Sequence, residues 1–252
     1  MAGKLLVLTY GGVAYLAFLA TFVYAIGFVG NLGVPWSIDA SPVASFEPSL
    51  AVDVALLGLF ALQHSVMARP AFKRMFARVA PPAIERSTFV LASSAALALL
   101  FWQWRPLGGV VWDVEAPWAR AALLAASASG WGIVFVSSWL LDHFALFGLR
   151  QVWAHWRGAT PTPAPFSTPG LYRFVRHPIY LGFTLAFWAT PTMSVTHLVF
   201  ASATTLYMLL AIQLEERDLL AEHPEYAEYR RRVPMLVPGW NGAAAKEPIG
   251  AS

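Results

Sequence analysis

YLGFTLAFWATPTMSVTHLVFASATTLYMLLAIQL, the stretch from Tyr180 to Leu214, decides the fold. It is apolar and too long for one membrane helix. Pro191, with Thr190, Thr192 and Ser194 around it, divides it, because an interior proline removes a helical hydrogen bond and clashes with the preceding turn. The stretch therefore reads as two shorter helices in a tight hairpin that enters a membrane and returns. Upstream lie four more apolar runs, Leu5–Val29, Leu50–Met67, Thr88–Trp104 and Ala119–Leu149. Each reaches or approaches the ~20 residues that cross ~30 Å of hydrocarbon. The expected class is an all-α integral membrane protein with five to six transmembrane helices and a C-terminal helical hairpin.

Composition agrees. The 252 residues are 58% hydrophobic and 12% charged, against roughly 25% charged in soluble domains, and the mean hydropathy is +0.56. A soluble globular domain is excluded. The first apolar run is too long for a cleavable signal peptide and has no small-residue cleavage site before a polar region. With no cysteine, the chain has no disulfide framework, thiolate-bound zinc or iron–sulfur centre, or catalytic thiol.

Basic residues set the expected orientation. Of 17 Lys and Arg, only Arg105 and Arg120 fall in segments read as external. Lys4, the 69–86 loop, the 150–176 loop and the tail hold the rest, whereas the Asn31–Pro48 loop has Asp39 and Glu47 and no basic residue. The positive-inside rule makes both termini cytoplasmic, as in a multi-pass protein of a bacterial inner membrane. The pI near 9.3 is read as this topology signal together with contact to anionic lipid, not as a nucleic-acid surface.

Polar groups concentrate toward the C-terminus. Thr168–Gly182 contains Arg173, Arg176, His177, Pro178, Tyr180 and Gly182, and Glu215 and Glu216 follow at the end of the last apolar run. Pro178 suits the first turn of a helix, leaving backbone N–H groups that attract anions. Tyr172 and Tyr180 offer rings and hydroxyls for stacking an adenine or holding a ribose. In the fourth run, Asp142 and His143 are read as lying within a membrane helix, where a carboxylate faces a cavity or a partner such as Arg86, Arg173 or Arg176. Gln63 and His64 stand near the end of the second run, and Gln151 opens the following loop. The six histidines lack the paired spacing of ligands on one helical face, so no metal site is expected.

These motifs resemble the membrane methyltransferases related to isoprenylcysteine carboxyl methyltransferase. The matching residues are Gly170, Tyr172, Arg176–Tyr180, Gly182, Glu215-Glu216, Tyr226, Tyr229 and Val233-Pro234. Upstream, Gln63–Arg69, Glu85–Ser87 and the segment from Asp142 to Gln151 look like the bacterial methanethiol S-methyltransferases of that superfamily. The resemblance implies S-adenosyl-L-methionine as cofactor in a cytosolic pocket, and S-methylation of methanethiol, a small volatile thiol, to dimethyl sulfide. It assigns cofactor binding to Gln151, Ser167, Thr168, Tyr172, His177, Pro178, Ile179, Tyr180 and Glu215. The distribution of polar groups divides the chain into N-terminal membrane helices (1–130) and a C-terminal core (131–238), methyltransferase-like by the resemblance, before a Gly/Ala/Pro tail (239–252) expected to be disordered.

One departure bears on the acceptor. The isoprenylcysteine enzymes carry an arginine four residues before the cofactor-binding glutamate, where this chain has Ala211. A small uncharged thiol does not need that arginine. Thiolate is the competent nucleophile, so a base is expected, with His143 first, His64 second and Asp142 orienting. Open alternatives are another small thiol, a lipid or prenylcysteine acceptor, a nicotinamide-dependent membrane reductase, and a small transporter or accessory protein.

Overall fold

The computed structural model describes residues 1–40, 45–159 and 166–239. The tail from 240 on and most of the Gly/Pro-rich stretch before Gly170 lie outside the described residues. Five helices are long and apolar enough to cross a membrane: α1 (Ala2–Gly30), α2 (Phe46–Ala68), α4 (Glu85–Gln103, extended by the short turn Pro82–Ile84), α5 (Pro117–Leu140) and α9 (Val195–Glu222). Between them come α3 (Pro70–Phe76), α6 (His143–Leu146), α7 (Leu149–Arg157) and α8 (Pro178–Trp188), and α10 (Tyr226–Arg232) closes the chain.

Local chemistry sets the boundaries. α1 ends where Asn31 takes a left-handed conformation (φ 53°) and returns its N–H to the Gly27 carbonyl. Proline occupies the first turn of α5 and α8, and the Ser194 hydroxyl accepts from the His197 N–H to start α9.

The fourth apolar run is not one helix, which corrects the expectation. Asp142 (φ 74°) and Gly148 (φ 88°) are both left-handed, so the chain turns twice and yields α6 and α7 after α5. Asp142 is the N-cap of α6, accepting from the Ala145 N–H at 3.1 Å. Nor do Glu215 and Glu216 end the last helix. Arg, Leu, Ala and Glu are good helix formers, and α9 continues to Glu222, just before His223-Pro224.

The hairpin is also asymmetric. α8 has only 11 residues, about 16 Å of rise, against 28 in α9. Beyond α8 the chain runs extended through Pro191 into β2 (Thr192–Ser194), which pairs antiparallel with β1 (Val110–Asp113) in the α4–α5 connection. This small sheet was not expected from the sequence. It satisfies backbone groups that a helix would otherwise satisfy internally. At the same end of the bundle the Trp104 indole donates to the Ile38 carbonyl and the Leu107 N–H to Thr196 Oγ1. At the opposite, basic end, Lys4 Nζ donates to the Trp156 carbonyl and Arg69 pairs with Asp218 at 2.7 Å.

The aromatic core joins Phe28, Phe101, Trp104, Trp131, Phe187 and Phe200. α8 lies against α5 through two glycines, and a Cβ on Gly130 would sit 2.6 Å from the Gly182 carbonyl oxygen, one on Gly182 2.7 Å from that of Gly130. Small residues let membrane helices approach this closely. Valine at either position should lower the thermal midpoint of the detergent-solubilised protein, by an overpacking cost of about 1–3 kcal/mol. Valine at Gly132, which has open space around it, should leave the midpoint nearly unchanged, and equal behaviour of all three would contradict this packing.

Candidate active site

Where the basic turn before α8 meets α9, two adjacent glutamates do different work. Glu216 is 3% exposed and saturated. Its Oε1 accepts from Arg176 Nε at 2.7 Å and lies 3.0 Å from His177 Nε2, while Oε2 pairs with Arg230 Nε at 3.1 Å. Arg176 also donates to the Arg230 and Val233 carbonyls, and the Arg176 and His177 N–H groups donate to the Pro234 and Met235 carbonyls. The Tyr229 hydroxyl donates to the Tyr172 carbonyl at 2.6 Å. The Val-Pro segment is thereby strapped onto the turn.

Glu215 is open by comparison. Its Oε2 accepts from the Tyr180 hydroxyl at 3.1 Å and lies 4.0 Å from His177 Nδ1. Its Oε1 has no hydrogen-bond partner among the described residues, and the side chain is 45% exposed. Tyr172 is buried nearby, and burial first, then the Glu215 charge, push its hydroxyl above the ordinary 10.0, so it stands as a neutral donor. Pro178 is buried and Ile179 partly so in the first turn of α8, with Thr168 partly buried and Ser167 exposed on the approach. Across the loop, Gln151 Nε2 donates to the Ala145 carbonyl, which leaves Oε1 buried and without a partner among the described residues.

The expected acceptor-side residues separate. Asp142 does not orient His143. Its carboxylate pairs with Arg150 and caps α6, because the left-handed turn points it along the loop. His143 is buried with both ring nitrogens engaged, Nδ1 2.9 Å from Ser138 Oγ and Nε2 2.9 Å from the Tyr15 hydroxyl. Its ring stacks on Trp139 at 4.7 Å and packs against Phe147. Ser138 Oγ also lies 2.7 Å from the Phe135 carbonyl. With its one proton given there, it accepts from Nδ1–H, and Nε2 in turn accepts from Tyr15.

His64 differs. Its Nδ1 lies 3.1 Å from Ser93 Oγ, and Nε2 has no partner among the described residues. Phe60 and Phe89 pack against its ring, with centroids at 5.2 and 4.7 Å. Tyr15, Ser138, Ser93 and Arg230 were not anticipated. The hydroxyls carry no signal in a helical sequence, and Arg230 sits in a basic run that reads as a solvated face.

A model of the isoprenylcysteine carboxyl methyltransferase (ICMT) family matches residues 131–227. The chain is 53% identical to the methanethiol S-methyltransferase of Crocosphaera subtropica, over 92% of its own length and 91% of that protein's. It is 52% identical to that of Mycobacterium tuberculosis over 93% and 97%. The chain belongs to the methanethiol S-methyltransferase family. A third relative, methanethiol S-methyltransferase 2 of Bradyrhizobium diazoefficiens, is 52% identical over 94% of this chain and 92% of its own. No solved structure matches. The resemblance read from the motifs is thus confirmed. The protein is a multi-pass membrane methyltransferase, and this family membership implies a methyl donor.

Within this methanethiol S-methyltransferase family fold, the two glutamates should respond differently to Glu→Gln. Glu216→Gln leaves buried cations unpaired and should cost about 3–5 kcal/mol of stability, read as a large fall in thermal midpoint. Glu215→Gln should melt close to the parent. Comparable losses would mean that Glu215 is also structural.

His143 supplies a pH test. Burial lowers its imidazole from the ordinary 6.5, so the folded chain holds it neutral. Stability from this group is complete above pH 6.5 and is lost as pH falls through its lowered folded value. His143→Gln should flatten that acid limb in midpoint-versus-pH curves, and an unchanged limb would place its origin elsewhere.

Proposed function

We propose that this protein transfers a methyl group from S-adenosyl-L-methionine to methanethiol, giving dimethyl sulfide, at the basic end of the bundle. That end faces the cytoplasm of a bacterial inner membrane with both termini, as the basic loops direct. The division between a saturated Glu216 and an open Glu215 carries the reading, since only Glu215 has a free carboxylate oxygen for a ligand's ammonium group.

The residues present fit the donor's chemistry. Glu215, with Tyr180 and His177 beside it, receives the amino-acid head. The orphaned Gln151 Oε1 accepts from an amino group, and Tyr172 presents a buried ring and a neutral hydroxyl. Pro178 and Ile179 form the apolar floor at the N-terminus of α8, with Ser167 and Thr168 on the rim. When bound, the donor supplies an electrophilic methyl on a positively charged sulfur.

The acceptor thiol is mostly protonated at neutral pH, so its proton must be taken in place. His64 has the vacant ring nitrogen that this requires, and its apolar flanks admit a small volatile thiol from the bilayer. His143 shares its nitrogens with Ser138 and Tyr15 and serves as a second reading, acting through the Tyr15 hydroxyl. Asp142 supports that arm by fixing the start of α6.

The purified protein, given S-adenosylmethionine and methanethiol, should release dimethyl sulfide into the headspace. Glu215→Gln should lose S-adenosylhomocysteine binding in calorimetry, and His64→Asn should keep binding but lose turnover by about 10²–10⁴-fold. Binding without dimethyl sulfide in the parent would discard the acceptor, and absence of binding would discard the methyl-transfer reading.

A further inference from the structure

Arg86 is an arginine in the first turn of a membrane-crossing helix whose charge no hydrogen-bonded carboxylate answers. Its Nε donates to the Leu146 carbonyl at 2.6 Å, and its guanidinium carbon lies 4.7 Å from the centre of the Phe89 ring. Among the described residues, the four N–H groups on its terminal nitrogens have no partner. The side chain is half-buried at the start of α4, and a planar fork of free donors is a receptor for an anion.

The nearby carboxylates do not fill that role. Glu216 is held by Arg176, Arg230 and His177, and Asp218 by Arg69. Glu85 on the same helix and Glu215 on α9 lie within electrostatic reach of Arg86, yet neither is hydrogen-bonded to it. From α2, His64 lies within electrostatic reach of both Arg86 and Arg69. Tyr180 and Tyr207 stand on the α8–α9 side, within the fields of Glu215 and Arg69, and Tyr10 of α1 is spent on Thr88.

One ring links cation and base. Phe89 carries the Arg86 guanidinium and also packs against the His64 imidazole, 4.7 Å between ring centroids. The free ring nitrogen of His64 and the free fork of Arg86 thus flank one phenyl ring, within electrostatic reach of each other and of Glu215.

We propose that Arg86 holds the acceptor's sulfur as an anion beside His64, and so selects a small thiol or hydrosulfide. This rests on the thiol methyltransferase reading above. The S–H bond breaks with its electron pair left on the acceptor sulfur and its proton passed to His64 Nε2. That sulfur then bonds to the methyl carbon as the carbon's bond to the donor sulfur breaks, leaving a neutral thioether from the donor and, from the acceptor, a thioether (a thiol where hydrosulfide is the acceptor).

The test is the pH profile of dimethyl sulfide formation by Arg86→Gln and Arg86→Lys, with S-adenosylhomocysteine affinity measured on the same preparations. Arg86→Gln should lose roughly a hundredfold in kcat/KM for methanethiol at neutral pH and recover much of it as pH rises and the thiol ionises unaided. Its deficit should also be smaller for trifluoroethanethiol, a more acidic thiol. S-adenosylhomocysteine affinity should stay at the parent value. Arg86→Lys keeps the charge but loses the fork and the Leu146 contact, so it should be slower than the parent with the parent's pH midpoint. It serves as the decisive variant if Arg86→Gln does not fold. A deficit independent of pH and thiol acidity, a shifted midpoint in folded Arg86→Lys, or lost S-adenosylhomocysteine affinity would each overturn the assignment, the last by making Arg86 a donor clamp. A parent protein that forms no dimethyl sulfide would overturn the underlying reading instead.

Discussion

The site depends on one buried carboxylate. Glu216 draws Arg176 and His177 from the basic turn and Arg230 from α10 onto a single point of α9. An ion cluster in a low-dielectric interior is stable only with its full set of partners. Around Glu216 the set is complete, and backbone bonds to Pro234 and Met235 reinforce it. Glu215, one residue away and so rotated about 100° around the helix, is held in register by its neighbour and is therefore free to meet a ligand. The saturated and the open carboxylate are adjacent in sequence but electrostatically distinct.

The short α8 positions this centre within the bundle. With 11 residues it starts well below the level at which α9 begins, and the remaining distance is covered by extended chain that ends in β2. Irregular backbone at membrane depth persists only where protein covers it, and here α5 and the β1–β2 pair provide cover. The mutual approach of Gly130 and Gly182 lets α5 lie flush against α8. The N-terminus of α8, where Pro178 is buried, lies close to Glu215, which the Tyr180 hydroxyl reaches.

Much of this was legible in the sequence. Apolar runs and a biased distribution of Arg and Lys report a membrane bundle directly, and the Arg-His-Pro turn with its glutamate pair reports a polar centre. What one dimension hides is direction. Nothing in Glu215-Glu216 says which is saturated. Asp142 in an apolar run looks like a buried acid until its φ of 74° turns it into a helix cap. His143 ranks ahead of His64 as base until their hydrogen bonds are counted, and the β1–β2 pair joins segments some eighty residues apart. Arg86 reads as a partner for Asp142, yet Asp142 pairs with Arg150 and Arg86 donates to the Leu146 carbonyl.

The arrangement of the Glu216 cluster also bears on how the protein is made. Arg176 and His177 leave the ribosome before Glu216, and Arg230 comes after it. Every membrane crossing can thus be threaded while the basic turn still lacks its strap and its last counter-charge. The cluster is closed only by α10 and the Val-Pro segment that follows, so a nascent chain stopped just short of them holds every membrane-crossing helix but neither Arg230 nor the strap. Insertion of the membrane helices and closure of the Glu216 cluster are therefore separate steps in the making of the protein.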